Sequence, residues 1–411
     1  MSDSIVIVGG GQAAIACVTK LRNLDFSGDI TIVTEEAVLP YQRPPLSKQY
    51  LLGKQTLEDL FFQADSWYDE RSITVLLEAK VVAVNRDTPS VVTEDGREIS
   101  YSKLVWCAGS EPIRLPASVG GEAENVSVVR DLPHVDHIKP LLEENGNVLV
   151  VGGGYIGLEA AAVCRAFGCN VTLVEAQSRI LQRVAAEATS DYFRQLHQQN
   201  GVEIREDTTL QSLVIEGSKA VSAQFSDGSS MAVAAVIVGI GIRPNIRALE
   251  EAGVDISNGV AVNEFCQTSD PNIYAAGDCC SFIRNGEQIR LESVQNANDQ
   301  GETAANHIMG NAVSYQSTPW FWSDQYDVKL QIAGLNNGYT KTVSRTGSKP
   351  GAVSHWYFDD EKLLAVDAIN EPGAFMVTKR LLDLGKTPTP EDIENTDKDL
   401  KVLMKELTRP S

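Results

Sequence analysis

The sequence predicts an α/β protein with two Rossmann-like domains and a C-terminal α+β domain. A short apolar run, a glycine-rich turn and a helix-forming segment occur in this order at residues 4–22 and again from residue 148. Beyond residue 319 the pattern changes to short alternating strands, which are typical of an antiparallel sheet. At 411 residues, the chain is also too long for one ordinary hydrophobic core.

The second glycine-rich segment has the pattern of a dinucleotide-binding turn. Gly152 permits a tight turn, Gly154 lets the backbone approach a pyrophosphate, and Gly157 lets helix and strand pack closely. The unpaired N–H groups at the start of the helix then face the phosphates. Glu175 follows at the end of the next strand, where a carboxylate can accept both hydroxyls of an adenosine ribose.

The first segment repeats this design near the start of the chain. Its turn contains Gly9 and Gly11, and Ala14 stands where the other copy has its third glycine. The next strand ends in Glu35 and Glu36, and either acid could hold a ribose. A single such motif is a weak signal, whereas two copies predict two bound dinucleotides.

The elements downstream of each turn continue the repeat. Asp95-Gly96 and Asp227-Gly228 are typical of hairpin turns. Each precedes an apolar strand that ends in glycine, predicted at residues 104–108 and 231–240.

The pattern divides the chain into three domains, of which the first is discontinuous. Residues after 241 return to the first unit, because a short strand delivers Asp278 after a glycine and a helix begins near Asn296. A helix N-terminus at this place could stabilise an anion. The predicted domains are a first dinucleotide-binding domain of residues 1–112 and 241–318, a second of residues 113–240, and a C-terminal interface domain of residues 319–411.

The C-terminal domain is predicted as an antiparallel sheet with one packed helix. We expect the acidic stretch 391–399 to be a solvated connector before the last helix. The predicted strands span residues 329–332, 339–344, 353–358 and 363–368, and the predicted helix spans residues 374–384.

Composition and charge exclude several kinds of partner. The net charge of −20 argues against nucleic acid and anionic membranes, because both need a basic surface. No apolar run approaches the roughly 18 residues of a membrane span, and the chain starts without a basic, apolar signal segment. Seven cysteines, an odd number scattered through apolar stretches, indicate reduced thiols in the cytoplasm rather than a disulfide framework.

Two other motifs carry weaker signals. Cys164 and Cys169 have the spacing of a redox disulfide, but they lie on the helix and strand of the second unit, behind its nucleotide. His134 and His137 have a spacing that metal ligands can use, yet no second pair accompanies them. We therefore predict no redox disulfide and no metal site.

Four further motifs complete a resemblance that covers essentially the whole chain. They are Arg-Pro-Pro-Leu-Ser-Lys at 43–48, Gly-Leu-Glu at 157–159, Tyr-Ala-Ala-Gly-Asp at 274–278 and Pro-Trp-Phe-Trp-Ser-Asp-Gln at 319–325. With the two glycine turns, they resemble the FAD-dependent NADH:ferredoxin reductases of bacterial oxygenase systems. That family belongs to the glutathione reductase-like flavoproteins.

The resemblance implies two cofactors, FAD and NADH. FAD would lie on the first turn, with Glu35 on its ribose, Arg43 near its phosphates and Asp278 on its ribityl chain; Glu36 remains a rival to Glu35. NADH would lie on the second turn.

The resemblance also implies roles around the flavin ring. Lys48 would lie near flavin N5, paired with Glu159. Trp320 and Trp322 would wall the flavin, and the helix that starts near Asn296 would stabilise the negative charge of the reduced flavin.

We predict NADH rather than NADPH as the electron donor. Glu175 can accept hydrogen bonds from a 2′-hydroxyl, and it would repel a 2′-phosphate. Arg179, four residues further along, is the argument for NADPH.

The predicted function is transfer of a hydride from NADH to FAD and release of single electrons to a 2Fe-2S ferredoxin. This ferredoxin would supply a monooxygenase or a ring-hydroxylating dioxygenase, and the reductase would be a monomer or a weak homodimer. Because ferredoxins are usually acidic and this chain is acidic too, docking requires a local basic patch. The candidates for that patch are Lys329, Arg290 and Arg284.

Two alternative functions remain open. A thiol-dependent NADH oxidase or disulfide reductase would need a cysteine facing the flavin near residues 41–48, and that stretch has none. A redox-sensing flavoprotein would use the same fold without fast ferredoxin reduction.

Overall fold

The computed structural model describes residues 3–409. The α-helices are α1 (Gln12–Asn23), α2 (Asp65–Glu70), α3 (Leu132–Glu143), α4 (Tyr155–Ala166), α5 (Glu187–Gln199), α6 (Arg247–Glu251), α7 (Val294–Ile308), α8 (Pro372–Asp383), α9 (Pro390–Glu394) and α10 (Leu400–Leu407). Short 3-10 helices lie at Pro44–Ser47, Glu58–Leu60 and Ala117–Val119.

The strands up to residue 238 are β1 (Ser4–Val8), β2 (Asp29–Val33), β3 (Ile73–Leu76), β4 (Val81–Asn85), β5 (Ser90–Thr93), β6 (Glu98–Ser100), β7 (Lys103–Trp106), β8 (Ser110–Pro112), β9 (Val126–Val128), β10 (Asn147–Val151), β11 (Asn170–Val174), β12 (Val202–Arg205), β13 (Leu210–Glu216), β14 (Lys219–Phe225), β15 (Ser230–Ala232) and β16 (Ala235–Val238). They are followed by β17 (Ile242–Pro244), β18 (Val260–Val262), β19 (Ile273–Ala275), β20 (Cys280–Arg284), β21 (Glu287–Ile289), β22 (Trp320–Gln325), β23 (Val328–Gly334), β24 (Lys341–Thr346), β25 (Val353–Asp359) and β26 (Lys362–Ile369).

The chain forms two compact units. The first unit comprises Met1–Arg43, Thr56–Glu111 and Ile242–Ser317. The second unit comprises Pro44–Gln55, Pro112–Gly241 and Thr318–Ser411. The finer division into three domains stays a prediction.

The first unit is built on a parallel sheet with the strand order β19-β7-β1-β2-β3. Strand β1 is apolar from Ile5 to Val8, as expected for a strand with both faces covered. Ile5 and Ile7 pack with helix α1 in one buried cluster, and Val6 and Val8 belong to a second cluster on the other face. Helix α7 approaches α1 closely, since a Cβ atom on Gly301 would lie 2.3 Å from the main-chain oxygen of Ala13.

The second unit contains an equivalent parallel sheet with the strand order β12-β11-β10-β16-β9. The single strand predicted at 231–240 is wrong, because this stretch forms two strands in different sheets. Strand β15 pairs antiparallel with β14, whereas β16 pairs parallel with β10. Hydropathy does not reveal a change of partner inside a continuous apolar run.

The C-terminal part of the second unit is an antiparallel sheet with the order β22-β23-β26-β25-β24. The four strands and the helix predicted there are confirmed within a few residues. Strand β22 was not predicted as a strand. Its residues alternate between faces: Trp320 contacts Phe375 of α8, while Phe321 contacts Tyr155 of α4.

The acidic stretch 391–399 is largely exposed and leads into the last helix, as expected, but it also contains most of a short helix that the pattern does not predict. Helix α9 begins there with a capping box, in which Thr389 and Asp392 each accept the other's backbone N–H. The segment that follows is held by Arg345, a buried guanidinium on β24. Arg345 donates to the carbonyl oxygens of Ile393 at 2.9 Å and Asn395 at 2.8 Å.

Among residues 3–409, no helix is both long enough and apolar enough to cross a membrane.

Arg345→Met should loosen the segment that follows α9. The free energy of unfolding should fall by about 2–3 kcal/mol, because hydrogen bonds to a charged group are lost and buried carbonyls lose their partner. Urea unfolding measures this loss, and hydrogen exchange should become faster across residues 389–398. Arg380→Met, at an exposed position on α8, is the matched control and should change stability by less than about 0.5 kcal/mol. Equal free energies of unfolding for the two variants would contradict this role of Arg345.

Candidate functional site

The two glycine turns have the same backbone geometry. Gly9 and Gly152 adopt φ values of 114° and 107°, which L side chains rarely adopt. A Cβ atom on Gly9 would lie 2.2 Å from the main-chain oxygen of Cys107, and one on Gly152 would lie 2.4 Å from that of Gly239. Each turn therefore requires glycine for both conformation and space.

Both turns lead into helices whose first N–H groups have no side-chain cap. Gly11 and Gly154 are the N-cap residues of α1 and α4. A Cβ atom on Gly154 would meet nothing within 4 Å, so the space before α4 is open. On Gly157 it would lie 2.0 Å from the Gly152 oxygen, whereas the first unit accommodates the buried Ala14 at the corresponding place. Open helix N-termini of this kind suit phosphate groups.

The acid of the second turn lies directly against the glycine loop. One oxygen of Glu175 accepts the Gly153 N–H at 2.7 Å, and the other accepts the Gln177 N–H at 2.8 Å. Arg179 points into its own loop, where it donates to the carbonyl oxygen of Ala185 at 2.9 Å. The cation that favoured NADPH in the sequence is thus bound to protein acceptors.

The two acids of the first turn have different partners. The Glu36 carboxylate forms an ion pair with Arg43 and accepts the hydroxyl of Tyr41. Glu35 is exposed, and its carboxylate lies 4.0 Å from the ammonium of Lys80. Glu36 is therefore committed to protein groups, and Glu35 is the more accessible acid.

Strand register shows that neither acid occupies the position of Glu175. Strand β1 pairs Val8 with Val33, as β10 pairs Val151 with Val174 in the second unit. The residue that follows Val33 is Thr34, and a Cβ atom on Gly10 would lie 3.1 Å from its hydroxyl. The repeat thus carries a threonine where the second turn carries its acid.

Arg43 lies beside the first glycine turn. Its guanidinium stacks over the Tyr41 ring at 5.0 Å, and its Nε lies 4.0 Å from the Cβ position of Gly11. A cation here fits a pyrophosphate bound to the open N-terminus of α1. The first turn therefore fits the predicted FAD.

Asp278 and Asn296, the remaining predicted site residues of the first unit, differ in their surroundings. Asp278 follows β19 and is half-buried. Asn296 is fully buried, and its side chain accepts the Tyr315 hydroxyl at 2.8 Å and donates to Gln300 at 3.1 Å. Its backbone N–H donates to Ser293, the N-cap of α7. The Asn296 side chain is thus held by protein groups, and the start of α7 is capped by Ser293.

Lys48 and Glu159 form a partly buried ion pair in the second unit. Their charged atoms are 2.8 Å apart, and the two side chains are 16% and 6% exposed. Ser47 donates to the same carboxylate oxygen at 2.8 Å, and Ser323 donates to the other at 2.7 Å. Three donors therefore satisfy a carboxylate that has lost its water.

Ser323 was missed in the sequence, although a signal was present. In Pro-Trp-Phe-Trp-Ser-Asp-Gln, Trp320 and Trp322 alternate with Phe321 and Ser323, as in a strand with two different faces. The two tryptophan rings are 5.7 Å apart, on the face that carries α8. Their predicted contact with flavin stays a prediction.

The cysteines and histidines form no second reactive centre within residues 3–409. Cys164 and Cys169 are free and buried. His134 bonds to Asp131, and His137 contacts the carbonyl oxygen of Glu124. No group of side chains there is suited to hold a metal ion.

Each cation predicted for docking has a local partner. Lys329 lies 3.5 Å from Asp324 and its side chain is 54% exposed. Arg290 is ion-paired with Glu292, and Arg284 donates to a main-chain carbonyl at 2.9 Å. Lys329 is the most exposed of the three.

Comparison with known proteins confirms the resemblance given by the motifs. The family Pyridine nucleotide-disulphide oxidoreductase matches residues 3–301, and the family Reductase C-terminal matches residues 320–404. A ferredoxin–NAD(P)(+) reductase from a Sphingomonas species is 40% identical over 92% of both chains. The ferredoxin–NAD(+) reductase component of the p-cumate 2,3-dioxygenase system of Pseudomonas putida is 36% identical over 92% of both chains. Among solved structures, the covalent putidaredoxin reductase–putidaredoxin complex matches with a TM-score of 0.95, 34% identity and 99% coverage of both chains.

Gly154→Ala and Gly157→Ala should separate ligand binding from folding. Alanine at 154 meets no protein atom, so it should leave stability unchanged and weaken dinucleotide binding at least about tenfold by blocking the pyrophosphate. Alanine at 157 collides with the turn and should destabilise the fold. Calorimetric titration with the dinucleotide and urea unfolding measure the two effects. Unchanged binding by Gly154→Ala would mean that no phosphate approaches this turn.

Proposed function

We infer that this chain, which belongs to the pyridine nucleotide-disulphide oxidoreductase family and to its ferredoxin reductases, passes electrons from NADH through FAD to a 2Fe-2S ferredoxin. The ferredoxin would supply a monooxygenase or a ring-hydroxylating dioxygenase. The observation that carries this inference is the pair of equivalent glycine turns, with the partly buried Lys48–Glu159 pair on the helix that follows the second turn. FAD supplies the change from two-electron to one-electron chemistry, and the protein supplies binding, orientation and electrostatics.

The first unit provides the groups for FAD. Gly9 and Gly11 open the backbone to the pyrophosphate, and Arg43 adds a positive charge beside that turn. We propose that Glu35 holds the ribose, because Glu36 is committed to Arg43. Asp278 would bind the ribityl chain, and the capped start of α7 would stabilise negative charge on the reduced ring.

The second unit provides the groups for NADH. Gly152 and Gly154 open the backbone, and Glu175 is already oriented by two backbone N–H groups. We propose that Lys48 and Glu159 orient the reacting rings without donating or removing a proton in the hydride step. Removing Lys48 would leave Glu159 as a buried, unpaired charge.

The cysteines argue against the thiol-dependent alternative. All seven are free and buried, and burial raises the pKa of every one of these thiols. A catalytic thiol needs a lowered pKa and access to its substrate. We therefore propose electron transfer to a ferredoxin rather than to a disulfide.

The setting of the enzyme is also a proposal. We propose that it works in the cytoplasm, since seven reduced thiols suit that compartment. It would act as a monomer or a weak homodimer.

Single-turnover stoichiometry tests the proposed function. The holoenzyme, reduced anaerobically with one equivalent of NADH, is mixed with an oxidised 2Fe-2S ferredoxin. Two ferredoxins should be reduced for each NADH, because the iron-sulfur cluster accepts one electron at a time. The same enzyme is mixed with a low-molecular-weight disulfide as a control. Fast thiol formation with no ferredoxin reduction would contradict the proposal, and so would flavin reduction that no ferredoxin in a panel can discharge.

Glu175→Gln should reduce the preference for NADH. The wild type should favour NADH over NADPH by roughly tenfold to a hundredfold, because the carboxylate bonds the 2′-hydroxyl and repels the 2′-phosphate. The amide removes the repulsion, so the ratio of kcat/KM values should fall toward one. Glu203→Gln on β12 removes the same charge from a carboxylate paired with Arg205, and it should leave the ratio unchanged. Equal use of both cofactors by the wild type would contradict this role.

Lys329→Glu should weaken ferredoxin docking. A surface ion pair with Asp324 is worth about 0–1 kcal/mol, so it leaves Lys329 available to an acidic partner. The variant should raise the apparent KM for ferredoxin by about threefold to tenfold and reduce its salt dependence, while flavin reduction by NADH is unchanged. Lys362→Glu, on the exposed end of β26, makes the same charge change as a control. Identical ferredoxin kinetics in both variants across ionic strength would place the contact elsewhere.

A further inference from the structure

A chain of hydrogen bonds in the second unit ends on Glu159. Its first links are Tyr326 hydroxyl to His197 Nδ1, at 3.1 Å, and His197 Nε2 to Gln325 Oε1, at 2.8 Å. Gln325 Nε2 then donates to the Ser323 hydroxyl at 3.1 Å. Ser323 donates to Glu159 Oε1 at 2.7 Å.

The residues inside this hydrogen-bond chain are shielded from solvent. Ser323, Gln325 and His197 are each 0% exposed, and Glu159 is 5% exposed. Their polar atoms must therefore find partners within the protein, and an unpaired one would cost about 1–3 kcal/mol. Each link constrains the next.

The direction of every link follows from its acceptor. An ionised carboxylate only accepts, so the Ser323 hydroxyl donates to Glu159 and accepts from the amide nitrogen of Gln325. The amide oxygen of Gln325 then faces His197, which must carry its proton on Nε2. Burial lowers the pKa of His197 to about 4, so the ring is neutral above that pH and its Nδ1 accepts from Tyr326.

The hydrogen-bond chain joins elements that are far apart in sequence. Helix α4 carries Glu159, helix α5 carries His197, and strand β22 carries Ser323 and Gln325 on one face. The successive donors lead along the hydrogen-bond chain to Ser323, which donates to Glu159 Oε1, whereas Lys48 contacts Oε2. The carboxylate is thereby held from both sides.

We propose that Ser323, Gln325 and His197 are positioning residues that aim the Glu159 carboxylate at Lys48. This rests on the proposed function, because Lys48 and Glu159 are taken to orient the rings in the hydride step. The chain is not a proton path, since the Gln325 amide would have to change its bonding to relay a proton. The C-terminal sheet thus acts on the reaction through β22, which is distinct from any contact of its tryptophans with flavin.

The tautomer of His197 gives a readout that does not depend on activity. The holoenzyme is labelled with ¹⁵N-histidine, and the His197 signals are assigned by their loss in His197→Gln. The wild type should show a neutral ring with its proton on Nε2 throughout neutral pH. Gln325→Leu removes the acceptor and should abolish this preference. A wild-type ring protonated on Nδ1 would overturn the proposed direction of the chain.

Flavin reduction by NADH in stopped flow then tests the effect on the reaction. Ser323→Ala and His197→Leu should slow reduction at saturating NADH about tenfold to a hundredfold, as small misalignments do, with little change in NADH affinity. His197→Gln places an amide donor near the Nε2 position and should recover most of the rate. His355→Leu removes another buried histidine, bonded to Ser344, and should behave as the wild type.

The outcomes separate this proposal from the proposed function. Wild-type rates in Ser323→Ala, or equal rates in His197→Leu and His197→Gln, would overturn the positioning role. If Ser323→Ala does not fold, the pair of variants at His197 and the wild-type tautomer still decide. Failure to reduce ferredoxin in the wild type would reject the proposed function alone, because the tautomer and the flavin reduction rates are measured without ferredoxin.

Discussion

The second unit depends on keeping one carboxylate charged inside protein. Glu159 is 5% exposed, and breaking a buried ion pair by removing one partner costs about 3–5 kcal/mol. Its donors come from the 3-10 turn Pro44–Ser47 with the adjacent Lys48, and from strand β22. One ion therefore ties an N-terminal segment and the C-terminal sheet to helix α4. The arrangement fixes the Lys48 ammonium against helix α4, which begins at the open glycine turn of the second unit.

The parts of the fold that sequence could predict are governed by local rules. The glycine turns were identified because φ values near +110° and backbone approaches near 2 Å restrict Gly9 and Gly152 to glycine. The parts that were missed depend on distant partners. Strand β22 is defined by pairing with β23, and residues 231–240 were divided because β15 and β16 pair with different sheets. Helix α9 was the exception, since its capping box was visible in the sequence.

The candidate site shows the same division. The motifs supplied Lys48 and Glu159 through a family resemblance, and the structure brings these two side chains together in one unit. Spacing alone left Glu35 and Glu36 equivalent, and the structure distinguishes them because Glu36 contacts Arg43 and Tyr41 whereas Glu35 is exposed. Ser323 acts from a segment whose partner lies more than one hundred residues away in the chain, so no local pattern names its acceptor.

If the Lys48–Glu159 pair orients the reacting rings, its loss must slow hydride transfer without releasing FAD. The direct measurement is anaerobic stopped-flow reduction of the flavin by NADH in Lys48→Ala, with bound FAD quantified by absorbance. Lys54→Ala, an exposed lysine of the same segment, is the control. In Lys48→Ala, we predict that reduction of the flavin is slower by about tenfold or more, while FAD occupancy stays full. Lys54→Ala should behave as the wild type. A Lys48→Ala enzyme that is reduced as fast as the wild type would contradict the role of the pair.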